Sequence, residues 1–155
     1  MYNFVKGQEM KTLNTLVKII AVAVIAVFTG CEKNTGTPMS ELGMKLCGEW
    51  KLETPTETSV YLAFFNNNTF EEYQRLDEGG YELRRGTWQL DQSQLSGKYN
   101  DGTEWSSTYT ILIADKVLTM ISGNEDAIEY QYVQKEIPQV IKENCEVVVK
   151  SGGLF

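Results

Sequence analysis

The stretch "YELRRGTWQLDQSQLSGKY" (residues 81–99) carries the clearest structural signal in the chain. Two short runs of strand-forming residues flank a polar break, "DQS". A connection this short is typical of a β-hairpin, whereas two parallel strands need a crossover of a dozen or more residues. The stretch therefore predicts two antiparallel strands that are neighbours in a sheet.

The same pattern of short strand-forming runs separated by breaks extends in both directions, from residue 49 to residue 134. The eight runs are "EWKLET", "SVYLAFF", "TFEEYQR", "YELRRGTWQL", "QLSGKY", "WSSTYTILI", "VLTMIS" and "IEYQYVQ". Most of the breaks between them are clusters of Asn, Asp and Gly, residues that favour tight turns. We therefore expect an all-β fold, an eight-stranded antiparallel up-and-down meander that closes as a barrel or curls strongly.

The apolar alternation along the strands is incomplete. In "WSSTYTILI" (residues 105–113) the apolar side chains alternate with polar ones, but "VLTMIS" and "SVYLAFF" are apolar on both faces. A barrel covered on one outer side by the terminal segments would produce this mixture. Ser40 is expected to cap a short N-terminal helical turn. A C-terminal helical segment is expected from Pro138, with Val140 and Ile141 over an apolar rim or barrel end.

"CGEW" (residues 47–50) contains the Gly-x-Trp that opens the first strand of lipocalins. Three later segments, "NTFEEYQ", "GTWQLDQSQLSGKYNDG" and "KEIPQVIKEN", also resemble the lipocalin-like lipoproteins common in gut Bacteroidetes. The resemblance covers residues 43–145 and implies a lipocalin-like barrel with Trp50 at its base. Lipocalins pack an Arg of the last strand on this Trp, whereas the corresponding strand here offers Lys135.

The N-terminus is typical of an export signal. Residues 19–28, "IIAVAVIAVF", are too short to span a bilayer, which needs about 20 apolar residues. Lysines precede this run and small residues follow it, the pattern of a secretory signal, and Met10 is the expected true start. "FTGC" (residues 28–31) resembles a bacterial lipobox, which implies cleavage before Cys31 and acylation of its thiol.

These predictions divide the chain into a lipoprotein signal peptide (1–30), a lipidated tether (31–40) and a barrel domain with a C-terminal tail (41–155). We expect an outer-membrane lipoprotein of a bacterial envelope, monomeric and attached through acylated Cys31, with the side of the membrane left open. Residues 31–155 hold 8 Lys and 3 Arg against 5 Asp and 15 Glu, so their net charge is 11 − 20 = −9. Such a surface repels phosphate groups, which argues against nucleic-acid binding.

Cys47 and Cys145 remain once Cys31 is acylated. A disulfide between them would close a loop of roughly 100 residues and stabilise the fold by about 4 to 5 kcal/mol in the chain-entropy model. The alternative is two unpaired thiols, and the sequence leaves both open.

The composition excludes most catalytic chemistry. The chain has no histidine, which removes His-based catalysis and nearly all zinc sites. Glu71 and Glu72 are adjacent on a predicted strand and point to opposite faces. Glu72 and Glu82 are expected to be ordinary cross-strand charges on a solvated face. We therefore expect neither an enzyme, a cofactor nor a metal site.

Aromatic residues are abundant in the predicted strands. They suit an interior that binds a small apolar or amphipathic molecule at the open end of the barrel, and they equally suit a filled barrel. The ligand-binding candidates are Trp50, Trp88, Trp105 and Tyr109, followed by Tyr61, Tyr130 and Tyr132. In the second hypothesis a solid barrel docks through its rim or loops onto another envelope protein or glycan complex. A cavity lined by these aromatics favours binding, and a packed core with an exposed apolar patch favours docking.

Overall fold

The computed structural model describes residues 38–54 and 59–149, which, apart from Pro38, belong to the compact unit Met39–Phe155. The predicted signal peptide, Cys31 and most of the tether lie outside the described residues. The strands are β1 (Gly48–Thr54), β2 (Val60–Phe64), β3 (Thr69–Arg75), β4 (Tyr81–Asp91), β5 (Gln94–Tyr99), β6 (Tyr109–Ala114), β7 (Val117–Ser122), β8 (Glu129–Gln134) and β9 (Glu146–Val147). Helix α1 (Glu41–Leu46) precedes β1, and helix α2 (Gln139–Asn144) lies between β8 and β9.

Strands β1 to β8 form a closed antiparallel barrel. Each strand pairs with its neighbours in sequence, and β1 also pairs with β8, which closes the ring. The prediction of an eight-stranded up-and-down barrel with two short helical segments is therefore confirmed.

Tight turns set the hairpins. Gln92 has a positive φ of 54° in the turn between β4 and β5. Between β6 and β7, Asp115 and Lys116 both have positive φ, as a two-residue type I′ turn requires. The residues quoted from 81–99 thus form the antiparallel hairpin that their turn predicts.

Helix α1 packs against the end of the barrel where β1 begins. Ser40 caps it by accepting a hydrogen bond from the Gly43 backbone N–H at 3.1 Å. Leu46 is fully buried in the barrel core, and its carbonyl oxygen accepts a hydrogen bond from Trp50 Nε1 at 2.9 Å. The indole of Trp50 is thus tied to α1, while Lys135 is exposed.

Helix α2 covers the outer wall of β2, β3 and β4. Ile137 and Ile141 pack there against Tyr61, Ala63, Tyr73 and Leu83. Because α2 covers the outer face of β2 and the barrel interior encloses its inner face, every residue of this strand is buried. The expectation that the helical segment would cover a rim or barrel end is wrong, because its partner is the outer wall, and Val140 is 65% exposed.

The Glu49 carboxylate binds α2 and the residues just before it to the barrel. It accepts hydrogen bonds from the Ile137 backbone N–H and from Lys142 Nζ, each at 2.6 Å. After α2, β9 pairs in parallel with Glu82 and Leu83 of β4. Part of what the sequence predicts as a C-terminal tail is therefore a short strand on the barrel.

Candidate functional site

Large side chains fill the barrel interior. Trp50, Phe64, Phe70, Trp88 and Tyr132 are each no more than 2% exposed. In the half nearest α1 the filling is apolar, and Trp88 packs edge-on against Phe64 with ring centroids 6.1 Å apart. Trp50 and Trp88, predicted as ligand-binding residues, are therefore placed in packed core.

Tyr61 lies on the other side of the barrel wall. Its ring belongs to the outer cluster beneath α2 and is 6.1 Å from the ring of Tyr81. The structure therefore separates Tyr61 from the other six predicted ligand-binding residues.

Three of the predicted residues form a chain of edge-to-face rings. The ring centroids of Trp105 and Tyr109 are 6.1 Å apart, and those of Tyr109 and Tyr130 are 6.2 Å apart. Phe70 extends the chain into the core, with its centroid 5.1 Å from that of Trp105. Tyr132 belongs to the same core cluster as Phe70, Trp105 and Tyr109.

The barrel interior also contains a buried carboxylate. Glu72 is fully buried, and its Oε2 accepts a hydrogen bond from the Tyr99 hydroxyl at 3.1 Å. The prediction that Glu72 and Glu82 are cross-strand charges on a solvated face is wrong, because Glu72 lies opposite Arg84 and Glu82 lies opposite Gln74. The period of two could have revealed this, since Glu72 shares its strand face with the buried Phe70.

The barrel wall is weakest between β5 and β6. These strands pair at only two positions, Gln94 with Thr110 and Leu95 with Tyr109. Before β6 begins, the chain also contacts β5 through an isolated bridge between Lys98 and Glu104. Residues 106–108 bow away between these contacts, so β6 begins four residues later than the run "WSSTYTILI" predicts.

A surface groove of about 510 Å³ occupies this seam, and we refer to it as the seam groove. Polar side chains dominate its lining. Hydroxyl groups come from Thr87, Ser96, Ser106, Ser107 and Thr108. The remaining lining residues are Gln89, Gly97, Lys98, Glu104 and Trp105.

The indole of Trp105 separates the seam groove from the barrel core. Its backbone N–H donates to the Gly97 carbonyl oxygen at 3.0 Å, which places the ring over Gly97. Only 6% of Trp105 is exposed, because the ring also packs on Phe70 and Tyr109. Of the residues that the sequence predicts for ligand binding, Trp105 is the one in the groove lining.

Residues 46–120 match the family model of the lipocalin-like domain. The barrel has a lipocalin-like fold. The match runs from the last residue of α1 into β7. It therefore includes the Gly-x-Trp of β1 and strands β4 and β5, which line the seam groove.

Two further searches add little to the lipocalin-like assignment. A search of curated proteins found no match. Among solved structures, an uncharacterized protein from Bacteroides eggerthii DSM 20697 is 15% identical, with a TM-score of 0.39. The match covers 58% of this chain and 99% of that one, and similarity at this level carries no inference.

The phenols in the lipocalin-like barrel are held in their neutral form. Burial, followed by repulsion from Tyr130, raises the pKa of Tyr109 to about 12. Burial and the negative charge of Glu72 raise the pKa of Tyr132 well above its usual value. At neutral pH these two hydroxyl groups therefore retain their protons.

Cys47 and Cys145 are free thiols in the lipocalin-like domain. Cys47 packs against the inner core, with its Sγ 3.7 Å from Met39 Sδ. Cys145 packs against the outer cluster, with its Sγ 3.4 Å from the Lys142 carbonyl oxygen. The predicted disulfide alternative is therefore wrong for this structure, because the two side chains join clusters on opposite faces of the barrel wall.

Within residues 38–54 and 59–149, no group of three or more Asp, Glu and Cys side chains is arranged to hold a metal ion. Across the same part of the chain, no helix is long and apolar enough to cross a membrane.

Proposed function

We propose that this chain is a lipid-anchored envelope protein whose lipocalin-like domain binds a small ligand in the seam groove without transforming it. The observation that carries the proposal is the groove itself. Its volume of about 510 Å³ lies within the range of roughly 300–1,000 Å³ that is usual for small-molecule sites. The packed interior moves the proposed site from the barrel mouth to the wall.

Binding without catalysis fits the groups that line the groove. Glu104 and Lys98 are the ionisable side chains in the lining, and they face each other across the bridge. The hydroxyl groups have no histidine to activate them, because the chain contains none.

The membrane anchor rests on the sequence around Cys31. Nine residues (32–40) separate Cys31 from the start of α1 at Glu41, so the distance between them is at most about 35 Å when the chain is fully extended. A diacylated cysteine supplies the two chains that firm membrane attachment requires. A binding domain on such a tether would collect its ligand close to the membrane surface.

Native mass spectrometry tests the binding proposal. The full chain would be purified from envelope extract in mild detergent, beside Gln89→Trp, which fills the seam groove, and Gln131→Trp, which places the same ring on exposed β8. We expect an adduct on the wild type and on Gln131→Trp that is lost from Gln89→Trp. A wild type without an adduct, or an adduct that survives Gln89→Trp, contradicts binding in the groove.

The anchor is tested separately with Cys31→Ser. We expect this variant to remain unprocessed and to leave the lipid-modified fraction, whereas wild type partitions into detergent with an acyl mass on Cys31. A Cys31→Ser protein that still carries the acyl mass would contradict the anchor.

Docking on another envelope protein is the second candidate. It is favoured by the packed interior together with Leu112 and Ile121, which are 66% and 38% exposed on the outer wall of β6 and β7. Leu112 lies opposite Thr119, so Leu112 and Ile121 are diagonal neighbours. In-cell crosslinking compares wild type with Leu112→Lys, and loss of one discrete crosslinked partner in the variant is the expected result for docking.

A further inference from the structure

We infer that the ligand of the seam groove is an uncharged polyhydroxylated molecule of the saccharide class. This inference rests on the proposed function, since it names the chemistry of the molecule that occupies the same groove. Three properties of the lining carry it, namely its hydrogen-bonding groups, its charge balance and its single, largely buried aromatic residue.

The first property is the density of groups that both donate and accept hydrogen bonds. Five of the lining side chains end in a hydroxyl group, and a hydroxyl can donate one hydrogen bond and accept two. The Ser107 hydroxyl is already engaged, because it donates to the Thr108 carbonyl oxygen at 2.9 Å and accepts from the Gly123 N–H at 3.0 Å. Gln89 adds an amide with both functions. Such a lining matches the hydroxyl groups of a sugar, which also donate and accept.

These groups are arranged in rows. Thr87 lies opposite Lys98, and Gln89 lies opposite Ser96, so four outward side chains form two cross-strand pairs on the barrel wall. Paired side chains on one sheet face lie about 5 Å apart. Several polar groups can therefore contact neighbouring hydroxyls of one sugar ring at once.

The second property is charge balance. Lys98 supplies one positive charge and Glu104 one negative charge, directly opposite each other in the bridge, and the other eight lining residues are uncharged. An anionic ligand would need an excess of cations, and the −9 charge of residues 31–155 works against it. A cationic ligand would be repelled by Lys98, which lies beside Glu104 in the lining. A neutral ligand meets neither obstacle.

The third property is the scarcity of exposed aromatic surface. Trp105 is the one aromatic residue in the lining, and only 6% of it is exposed. A fatty ligand would desolvate the hydroxyl groups without replacing their hydrogen bonds to water, which is unfavourable. The lining therefore offers a ligand hydrogen-bonding groups rather than an aromatic face on which to stack.

A ligand panel tests the inference on the full chain in mild detergent. The probes are glucose, galactose, mannose, N-acetylglucosamine and their common disaccharides, with glucuronate, lauric acid and hexylamine as the charged and apolar comparison. Saturation-transfer NMR detects binding, and calorimetry measures affinity. We expect at least one neutral saccharide to bind, with an affinity that is unchanged between low and high salt.

Two matched variants locate the contact. Thr87→Val removes a groove hydroxyl and keeps a β-branched side chain, and Thr119→Val makes the same change on the outer wall of β7. We expect Thr87→Val to weaken saccharide binding about 3- to 10-fold, the effect of one lost neutral hydrogen bond, and Thr119→Val to leave it unchanged.

The failures of the two proposals are distinguishable. An envelope adduct that Gln89→Trp removes, together with no binding by any neutral saccharide, overturns the ligand class and leaves groove binding intact. Saccharide binding that neither Gln89→Trp nor Thr87→Val reduces overturns the site. A wild type with neither an adduct nor saccharide binding overturns both.

Discussion

The indole of Trp105 lies so close to the backbone of Gly97 that a Cβ added there would be 2.2 Å from the ring. A side chain on β5 at this position would occupy the space that the indole fills. Gly97 therefore permits Trp105 to close the gap where β5 and β6 separate, and the same contact forms the inner wall of the seam groove.

Gly97→Ala tests this contact. Because the ring cannot retreat through the packed core, we expect the free energy of unfolding to fall by about 1–3 kcal/mol, as is usual for overpacked sites. Urea denaturation measures the change, and a red shift of the tryptophan emission reports displacement of the ring. Ser96→Ala is the neighbouring control, and equal stability of the two variants would contradict the prediction.

Trp50→Phe tests the attachment of α1 to the barrel. The change keeps an aromatic ring but removes the hydrogen bond from Nε1 to the Leu46 carbonyl oxygen, with an expected loss of about 1–3 kcal/mol. Trp88→Phe removes the comparable bond from Nε1 to the Thr69 carbonyl oxygen at 3.0 Å. Only Trp50→Phe should accelerate hydrogen exchange at the α1 amides, and equal exchange in both variants would speak against it.

Glu49→Gln tests the contacts that hold residues 137–142 on the barrel. The carboxylate accepts hydrogen bonds from Ile137 and Lys142, and loss of its charge should lower stability by about 1–3 kcal/mol. Limited proteolysis should then cut near α2 before the barrel. Glu53→Gln, which disturbs an exposed pair with Lys51, is expected to change stability by less than about 1 kcal/mol. Unchanged proteolysis in Glu49→Gln would contradict this role.

The pKa of Tyr109 predicts a loss of stability in alkali. An unfolded tyrosine loses its proton near pH 10. Burial raises the pKa of Tyr109 to about 12 in the folded protein. Between about pH 10 and 12 the unfolded chain therefore binds fewer protons, so the contribution of Tyr109 to stability is complete below pH 10 and is lost as the pH rises to 12.

Urea midpoints from pH 9 to 11.5 measure this loss. Tyr73 and Tyr132 act in the same direction, because burial raises the pKa of both. The urea midpoint of Tyr109→Phe should therefore fall less steeply with pH than that of the wild type. It should still fall, because Tyr73 and Tyr132 remain. Parallel curves for the two proteins would show that Tyr109 does not contribute.

Free thiols at Cys47 and Cys145 make stability independent of reductant. The melting temperature should be the same with and without dithiothreitol, because there is no bridge to reduce. Burial raises the pKa of Cys47, so its reaction with a disulfide reagent should be slow in the folded protein and fast in denaturant. A melting temperature that falls with reductant would indicate a bridge.

The sequence predicts the fold well because the information is local. Turn residues such as Asp115 and Lys116 reverse the chain within two positions, and once eight strands are joined in this way each must lie beside its neighbours in sequence. The caps of the helices are also local, as Ser40 shows for α1.

The candidate site could not be predicted to the same extent. The sequence selects Trp105 as one of several aromatics, but the groove beside it exists only because β5 and β6 part after two residue pairs. The Trp105 indole meets Gly97, Phe70 and Tyr109 at once, and no local pattern specifies this combination. Trp50, Trp88 and Tyr61 carry the same sequence signal and lie in packed clusters instead.

The sequence by itself determined the strands, their antiparallel order and the acidic charge, since these depend on neighbouring residues and on composition. The tertiary structure decided which face of each strand is enclosed in the barrel. It also decided where the barrel wall opens, between β5 and β6, and which part of its outer face is covered by α2. Glu72 shows the reason, because its burial depends on closure of the ring and on Tyr99, which lies 27 residues away along the chain. Contacts between distant residues are settled by packing, and packing is a property of the closed barrel.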